Sequence, residues 1–316
     1  MKVEEAIHAW AKNRGYRVAA GNISLLEEIR GTLQKRRDAG EIEPAFYRDN
    51  LDVFTYLENC TLKDPQSVLV VAVPRPAHVL SFSVVGKTIE TILPPTYVRY
   101  RKIFEEVRDD LKAALAGLDC RLELLSAPLK ALGNRLGLLS YGRNNVGYID
   151  GLGSYFQLVG FVSDKRIEGK GFLPRPADIL LPRCPDCRLC AKACPAGAID
   201  RERVLIHAEK CYTLFSESPE PIPEGLKPPS PKCLVGCLRC QQVCPENKGL
   251  LRYEEAAVSF DADETAAFLG LGAKAGPVMN RARAKLLKLG LTEGLPVFAR
   301  NLERLLKLWR VPVPGI

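Results

Sequence analysis

Four cysteines fall within eleven residues in the stretch RCPDCRLCAKACPAG: Cys184, Cys187, Cys190 and Cys194, the last followed by Pro195. The spacing is C-x2-C-x2-C-x3-C-P, the bacterial pattern for a 4Fe–4S cluster. Its logic is geometric. Three thiolates on one tight loop hold three irons of a cube. The fourth cysteine starts a helix that points away, so it ligates a neighbouring cluster. A second half is therefore required. It is present as Cys237, Cys240 and Cys244-Pro245 in CLVGCLRCQQVCPEN. A repeat of the first spacing would want a cysteine at position 234, which is Leu234. Cys211 and Cys233 are the two available replacements. Crossover then puts Cys184, Cys187, Cys190 and Cys244 on one cluster. Cys194, Cys237, Cys240 and either Cys211 or Cys233 go to the other. Zinc fits less well, because its knots use paired C-x2-C units rather than a triple run closed by Cys-Pro. Cys60 and Cys120 stand alone and read as small buried hydrophobes.

Clusters imply electron transfer, and a relay needs an endpoint. The chain of 316 residues is long enough for two domains with a core, and 47% of it is apolar. No apolar run approaches the ~18 residues of a membrane span. The start, MKVEEAIHAW, has no apolar signal core, so the expected location is the cytoplasm. Clustered cysteines there bind metal more often than they pair. The net charge is +8, and Arg281 to Arg310 carries eight Lys/Arg against two Glu. That basic stretch suggests an acidic partner, either RNA or an electron carrier. A solvated helix face is the plainer alternative.

The elements in front of the cysteines must position whatever is reduced. ISLLEEIRGTLQKRRDAG has helical spacing with Gly40 at its cap, and SVLVVAVP (Ser67 to Pro74) reads as a buried strand. TYVRYRKIFEEVRDDLKAALAGL is an amphipathic helix, CRLELLSAP a strand ended by Pro128, and SYFQLVGFVSD another strand. PLKALGNRLGLLSYGRNN is a helix breaking into a Gly/Asn loop. The alternation predicts an α/β domain over 1–172. Gly171 to Pro182 reads as a hinge, and the cysteine domain follows over 173–252. Within it, SESPEPIPEGLKPPSPK has six prolines in seventeen residues and reads as an irregular loop. A helical segment over 253–316 breaks at Gly276-Pro277 and Gly294.

The front domain lacks a G-x-G-x-x-G after a strand, so a nicotinamide or flavin Rossmann site is not expected. There is no P-loop. His8, His78 and His207 are far apart, and no Asp-x-His-x-x-Gly stretch supplies a cobalt ligand. The order of SVLVVAVP, YVRYRKIF, SAPLKALGNRLGLLSYGRNN, GSYFQLVGFVSD, the cysteine run, EKCYTLF and GCLRCQQVCPEN resembles the epoxyqueuosine reductase family, and more distantly the reductive dehalogenases. The resemblance covers roughly residues 67–247.

It implies an α+β chain: a nitroreductase-like α/β domain binding base-off cobalamin, a ferredoxin-like domain with two 4Fe–4S clusters, and a short helical end. It implies that a low-potential donor such as ferredoxin or flavodoxin reduces the clusters. These in turn reduce the cobalamin, which reduces the epoxide of a tRNA wobble nucleoside to give queuosine. By position it makes Cys211 the lone upstream ligand with Cys194, Cys237 and Cys240, leaving Cys233 spare. It assigns Arg143, Asn144, Asn145, Gly153, Ser154, Tyr155 and Thr213 to the corrin. A monomer with no membrane association is expected. One departure matters. The family carries an acidic proton donor just before its SAP-like turn, and here that residue is Leu125. Leucine cannot transfer a proton. Glu123, two residues upstream on the same expected strand face, is the candidate substitute. Anaerobically purified protein is expected to hold about eight iron and about eight acid-labile sulfide per chain. Iron near half that value, or stoichiometric zinc, would refute the double-cluster reading.

Overall fold

The computed structural model describes residues 2–167, 178–200, 202–226, 228, 233–254, 258–271, 276–291 and 295–311. Two compact units divide the chain, and they interleave. The first comprises Met1–Pro74, Ile103–Arg188 and Ile199–Glu209; the second comprises Arg75–Lys102, Leu189–Ala198 and Lys210–Ile316.

The first unit is built on four strands in the order β1 (Arg17–Asn22), β2 (Ser67–Pro74), β8 (Phe156–Ser163) and β5 (Leu122–Leu124). All three pairings are antiparallel. Val68 through Ala72 in β2 are fully buried, as the unbroken apolar run requires of a central strand. Helices α1 (Val3–Arg14), α2 (Leu25–Asp38), α3 (Pro44–Asn50), α4 (Tyr100–Ala114) and α5 (Leu129–Arg135) accompany the sheet. In α4 the buried residues Ile103, Val107 and Leu111 recur every four positions and join the same core as Leu69, Val71 and Phe161. Trp10 Nε1 donates to Asp110 Oδ2 at 2.8 Å, which ties α1 to α4. A small antiparallel ladder, β6 (Ser140–Tyr141) with β7 (Gly147–Tyr148), follows α5.

The second unit holds the hairpin β3 (His78–Val84) and β4 (Lys87–Leu93), with β9 (Val258–Phe260) parallel to β3. It also holds α6 (Leu189–Ala193), α7 (Tyr212–Glu217), α8 (Arg239–Gln242), α9 (Ala262–Phe268), α10 (Pro277–Lys288) and α11 (Leu295–Leu308). Phe82 stacks on Phe260 at 4.9 Å, and Phe268 meets both rings edge-on. Leu286, Leu302 and Leu306 complete that core.

The expected strands at 67–74 and within SYFQLVGFVSD are present, as are the expected helices. The chain is a mixed helix-and-sheet protein. The strand expected in CRLELLSAP stops at Leu124, short of Pro128. Strands β1, β3 and β4 were not anticipated, since RVAAGN is too small and too polar to stand out by hydrophobicity. Pro277 opens α10 as the Gly276-Pro277 break predicts. Gly294 and residues 171–177 of the expected hinge lie outside the described residues. No described helix is long and apolar enough to cross a membrane.

The position of α5 on the sheet depends on one residue without a side chain. A Cβ on Gly160 of β8 would stand 2.3 Å from Leu129 Cδ2 and 3.4 Å from Leu125 Cβ. Gly160→Ala should push α5 outward and destabilise the protein by about 1–3 kcal/mol, the usual cost of overpacking. A denaturant titration should show a lower midpoint. An unchanged midpoint would mean that Leu129 swings aside freely.

Candidate functional site

The cysteines distribute over both units. Cys184 and Cys187 belong to the first; Cys190, Cys194, Cys211, Cys233, Cys237, Cys240 and Cys244 belong to the second. All eleven cysteines are free thiols. In the second unit, Cys194, Cys211, Cys233 and Cys237 lie close enough for Cys237 to feel the other three. Burial pushes the Cys237 thiol up to about 12 and the Cys233 thiol up to about 11. Burial also raises Cys211. Such thiols stay protonated unless a metal takes the place of the proton.

The surroundings of these sulfurs distinguish them. Cys211 precedes α7 as its cap residue, without a side-chain capping hydrogen bond, and the nearby Thr213 and Leu214 groups oppose the upward push of burial on its thiol. Cys194 sulfur accepts from the Ala198 N–H at 3.3 Å. The Arg239 N–H beside Cys237 and the Leu238 N–H beside Cys233 each oppose the upward push of burial. Hydrogen bonds to cluster sulfurs favour the thiolate and tune its potential. More polar groups offset the effect of burial at Cys211 than at Cys233. Among the described residues no three His, Cys, Asp or Glu side chains converge on a single ion position. A cubane does not need that, since each iron takes one thiolate.

Next to Cys237, Gly236 adopts φ +69°, and a Cβ there would stand 2.4 Å from the Tyr97 hydroxyl. Only glycine permits this close turn against the Tyr97 ring. The Tyr97 hydroxyl donates to Glu217, whose carboxyl burial pushes upward.

The GRNN segment is the turn between β6 and β7. Gly142 N–H donates to Val146 at 2.8 Å, and Asn145 N–H donates to Gly142 at 2.8 Å. Arg143 Nε donates to the Cys184 carbonyl at 3.3 Å. Asn144 is buried and donates to the Tyr148 hydroxyl at 2.9 Å. Asn145 takes φ +56°, and its carbonyl and Oδ1 both accept from Lys130 Nζ, at 2.6 and 2.9 Å. Gly153 closes a turn with Ile149 through two 2.9 Å hydrogen bonds. Ser154 and Tyr155 are buried beside it.

A cavity of about 400 Å³ opens within the first unit. Ile29, Leu33, Phe46, Phe54, Leu129 and Ile206 give it apolar walls. Lys130, Asn134, Asn145 and Asp178 are among its polar groups. The volume lies near the low end of the ~300–1,000 Å³ common for small-molecule sites. A corrin ring with its amide arms exceeds it. Of the residues that the resemblance assigns to corrin, Asn145 lines the wall. Thr213 belongs to the second unit, where it serves Cys211.

Residues 183–247 match the 4Fe-4S double cluster binding domain family. This segment is a double-cluster iron–sulfur domain. The chain is 31% identical to the epoxyqueuosine reductase of Staphylococcus aureus over 38% of its own length and 30% of that protein's. It is 30% identical to the Shewanella oneidensis enzyme over 48% of itself and 37% of that protein. It thus spans well under half the length of these curated relatives. A solved epoxyqueuosine reductase from Streptococcus thermophilus aligns with 97% of this chain and 81% of its own, with TM-score 0.68 and 17% identity. A crystal structure of epoxyqueuosine reductase with an epoxyqueuosine-modified tRNA stem loop aligns with 96% of this chain and 80% of its own, with TM-score 0.63 and 19% identity. The chain has the epoxyqueuosine reductase fold.

Two expectations need correction in that frame. Glu123 and Leu125 stand on one ladder against β8, Glu123 opposite Val162 and the Leu125 N–H donating to the Gly160 carbonyl, yet only Leu125 is buried in the core. Glu123 is held by the Thr61 N–H at 2.9 Å and by the Thr61 hydroxyl. Those hydrogen bonds hold its carboxyl below the usual range, which suits an anchor rather than an acid. Cys60 and Cys120 are half-buried rather than buried, and they pack at the margin of the core.

The basic stretch is also less free than its composition implies. Arg300 donates to the carbonyls of Phe215, Ser218 and Glu220, and Arg304 to that of Leu226. Lys285 and Arg281 pair with the buried Glu264. These cations hold the second unit together. Arg283, Lys288 and Arg310 remain exposed.

The spare-cysteine question has a direct test. Cys211→Ala should lose one cluster, read as a drop of about four iron per chain. Cys233→Ala should keep both. Intact clusters in the Cys211 variant would exchange the two assignments.

Proposed function

We propose that the chain is an oxidoreductase of the epoxyqueuosine reductase type. It would reduce the epoxide of a modified nucleoside in tRNA with electrons relayed through two 4Fe–4S clusters. The observation that carries this reading is the convergence of Cys194, Cys211 and Cys237, three partly buried thiols, in a double-cluster domain on this fold. In this reading Cys184, Cys187, Cys190 and Cys244 hold one cluster, and Cys194, Cys211, Cys237 and Cys240 hold the other. A low-potential donor of the ferredoxin or flavodoxin class reduces the latter first. The tRNA-bound relative supports a tRNA partner. Arg283, Lys288 and Arg310 are the exposed cations available to its phosphates.

The terminal carrier in this proposal is base-off cobalamin on a nitroreductase-like scaffold within 1–172. The cluster domain spans 173–252 and the helical end 253–316. Arg143, Asn144, Asn145, Gly153, Ser154, Tyr155 and Thr213 would hold the corrin. When bound, the cofactor supplies a strongly nucleophilic low-valent cobalt; the protein supplies position and electrostatics. Arg143 and Asn144, fixed by the Cys184 carbonyl and the Tyr148 hydroxyl, form a rigid rim. Thr213 lies beside the proposed cluster ligand Cys211 in the second unit.

Leu125 in the core favours a second reading, a sister enzyme with the same electron chemistry and another substrate. Comparing tRNA nucleosides from a deletion strain with those of its parent separates the two. Epoxyqueuosine should accumulate in the mutant. Unchanged nucleosides would remove tRNA as the substrate. Protein reconstituted with cob(II)alamin should give an EPR spectrum without nitrogen superhyperfine splitting. If no cobalamin binds under reducing conditions, the chain is an electron-transfer protein without a corrin.

A further inference from the structure

Three cations line the cavity of the first unit: Arg36, Lys130 and Arg135. Two are neutralised. Arg36 pairs with Asp178 and lies 3.9 Å from Glu41, and Arg135 pairs with Glu28 at 2.6 Å. The remaining carboxylates of the wall are also engaged. Glu43 accepts from the Ala45 and Phe46 N–H groups at the start of α3, and Glu209 holds His207 at 3.2 Å. Lys130 has no carboxylate partner among the described residues. Its Nζ donates to the Asn145 carbonyl and Oδ1 and lies 5.7 Å from the Tyr141 ring centre. Both hydrogen bonds go to neutral oxygens, and an ammonium has three protons to give.

We propose that Lys130 is the proton donor to the oxygen lost when the substrate is reduced, and that the cavity over α5 receives the part of the substrate bearing that oxygen. This rests on the reductase reading above. The volume of about 400 Å³ suits a single nucleoside-sized group with an appended ring. The apolar walls would exclude water from the reacting bond, and Asn145 fixes the amine in place.

Opening and removing an epoxide oxygen takes two electrons and two protons; it leaves a carbon–carbon double bond and one water. The electrons come singly from the low-potential donor through the clusters. One proton passes from Lys130 Nζ to the departing oxygen, and the second comes from solvent, which also reprotonates the amine. Burial lowers the Lys130 pKa from 10.5 to about 8, so the ammonium dominates at neutral pH yet releases its proton readily. The Tyr141 ring faces the amine, and the other charged groups of the cavity wall are the paired Arg36–Asp178 and Arg135–Glu28 couples, Glu41, Glu43 and Glu209. Burial raises the Tyr141 phenol well beyond the physiological range, so it stays neutral. Lys130 thus provides an acid that Leu125 cannot.

The test uses the full chain with both clusters, reconstituted with cobalamin and a low-potential reductant, on an epoxyqueuosine-bearing anticodon stem-loop. For the wild type, kcat should fall as pH rises through about 8, because only the ammonium donates. Lys130→Gln and Lys130→Arg should both lose roughly 10²–10⁴ in kcat, with KM and iron content unchanged and the fall near pH 8 gone. Arginine keeps the charge but cannot titrate, so an Arg variant within threefold of wild type would overturn proton donation in favour of simple charge. A second measurement needs no turnover. Trace acetylation of Lys130 against pH, quantified by mass spectrometry, should show a midpoint near 8. A midpoint near 10.5 overturns the proposal whatever the substrate. Normal labelling with no epoxide reduction by the wild type would sink the reductase reading, and the donor role with it.

Discussion

The constraint on which the second unit is organised is the removal of thiol groups from water. A buried thiol cannot ionise unaided, and burial raises Cys211, Cys233 and Cys237. The backbone answers this with polar groups near sulfur: the Ala198 N–H donates to Cys194, and N–H groups of Thr213, Leu214 and Arg239 oppose burial at Cys211 and Cys237. Each requires a short helix or turn beginning at or just after a cysteine, which explains why α7 and α8 are only a turn or so long. The donors come from segments far apart in sequence, so the rest of the unit must hold those segments in register. Arg300 binds the carbonyls at the end of α7, and Asn301 donates to Ser216 at 2.8 Å. Ser216 in turn accepts from the Gly236 N–H at 2.8 Å, beside Cys237. The C-terminal helix is in this way a brace for the cysteine loops. Its charge serves packing before it serves any partner.

The cysteine half of this arrangement was legible in the sequence because cluster chemistry fixes spacing. C-x2-C-x2-C-x3-C-P leaves few alternatives, and the central strands announced themselves as unbroken apolar runs. The choice between Cys211 and Cys233 was not legible from spacing. It turns on which polar groups surround each sulfur, a property of the folded backbone. The hairpin β3–β4 escaped notice for a related reason. Its turn at Val85-Gly86 uses positive φ at both residues, and valine there gives no turn signal.

Leu125 shows that a shared strand face does not make a shared environment. The ladder against β8 runs on past Leu124 in the same register, with the Leu125 N–H donating to the Gly160 carbonyl at 2.9 Å, while Glu123 is held by Thr61. Leucine at 125 then fills the space beside Gly160, where a carboxylate would be buried against apolar neighbours at a cost of several kcal/mol. Replacing an acid by leucine at this point is coherent packing, and it moves any acid chemistry elsewhere in the unit.

Lys130 was invisible in the sequence because one lysine in APLKALGNR reads as the solvated face of a helix. Its setting depends on contacts no local pattern encodes: the positive-φ turn at Asn145 and the cavity wall from α2 and α3. The same glycine that lets α5 approach β8 sets how far Leu129, and hence its neighbour Lys130, sits from the sheet. A desolvated amine without a counter-ion is a standing cost to folding, since burial disfavours its charged form. Chains keep such costs where activity needs them, because stability and function are optimised by different side chains. Two hydrogen bonds to Asn145 reduce that cost without quenching the charge, as a carboxylate would. An amine so placed keeps its proton available, and this separates Lys130 from the paired cations around it.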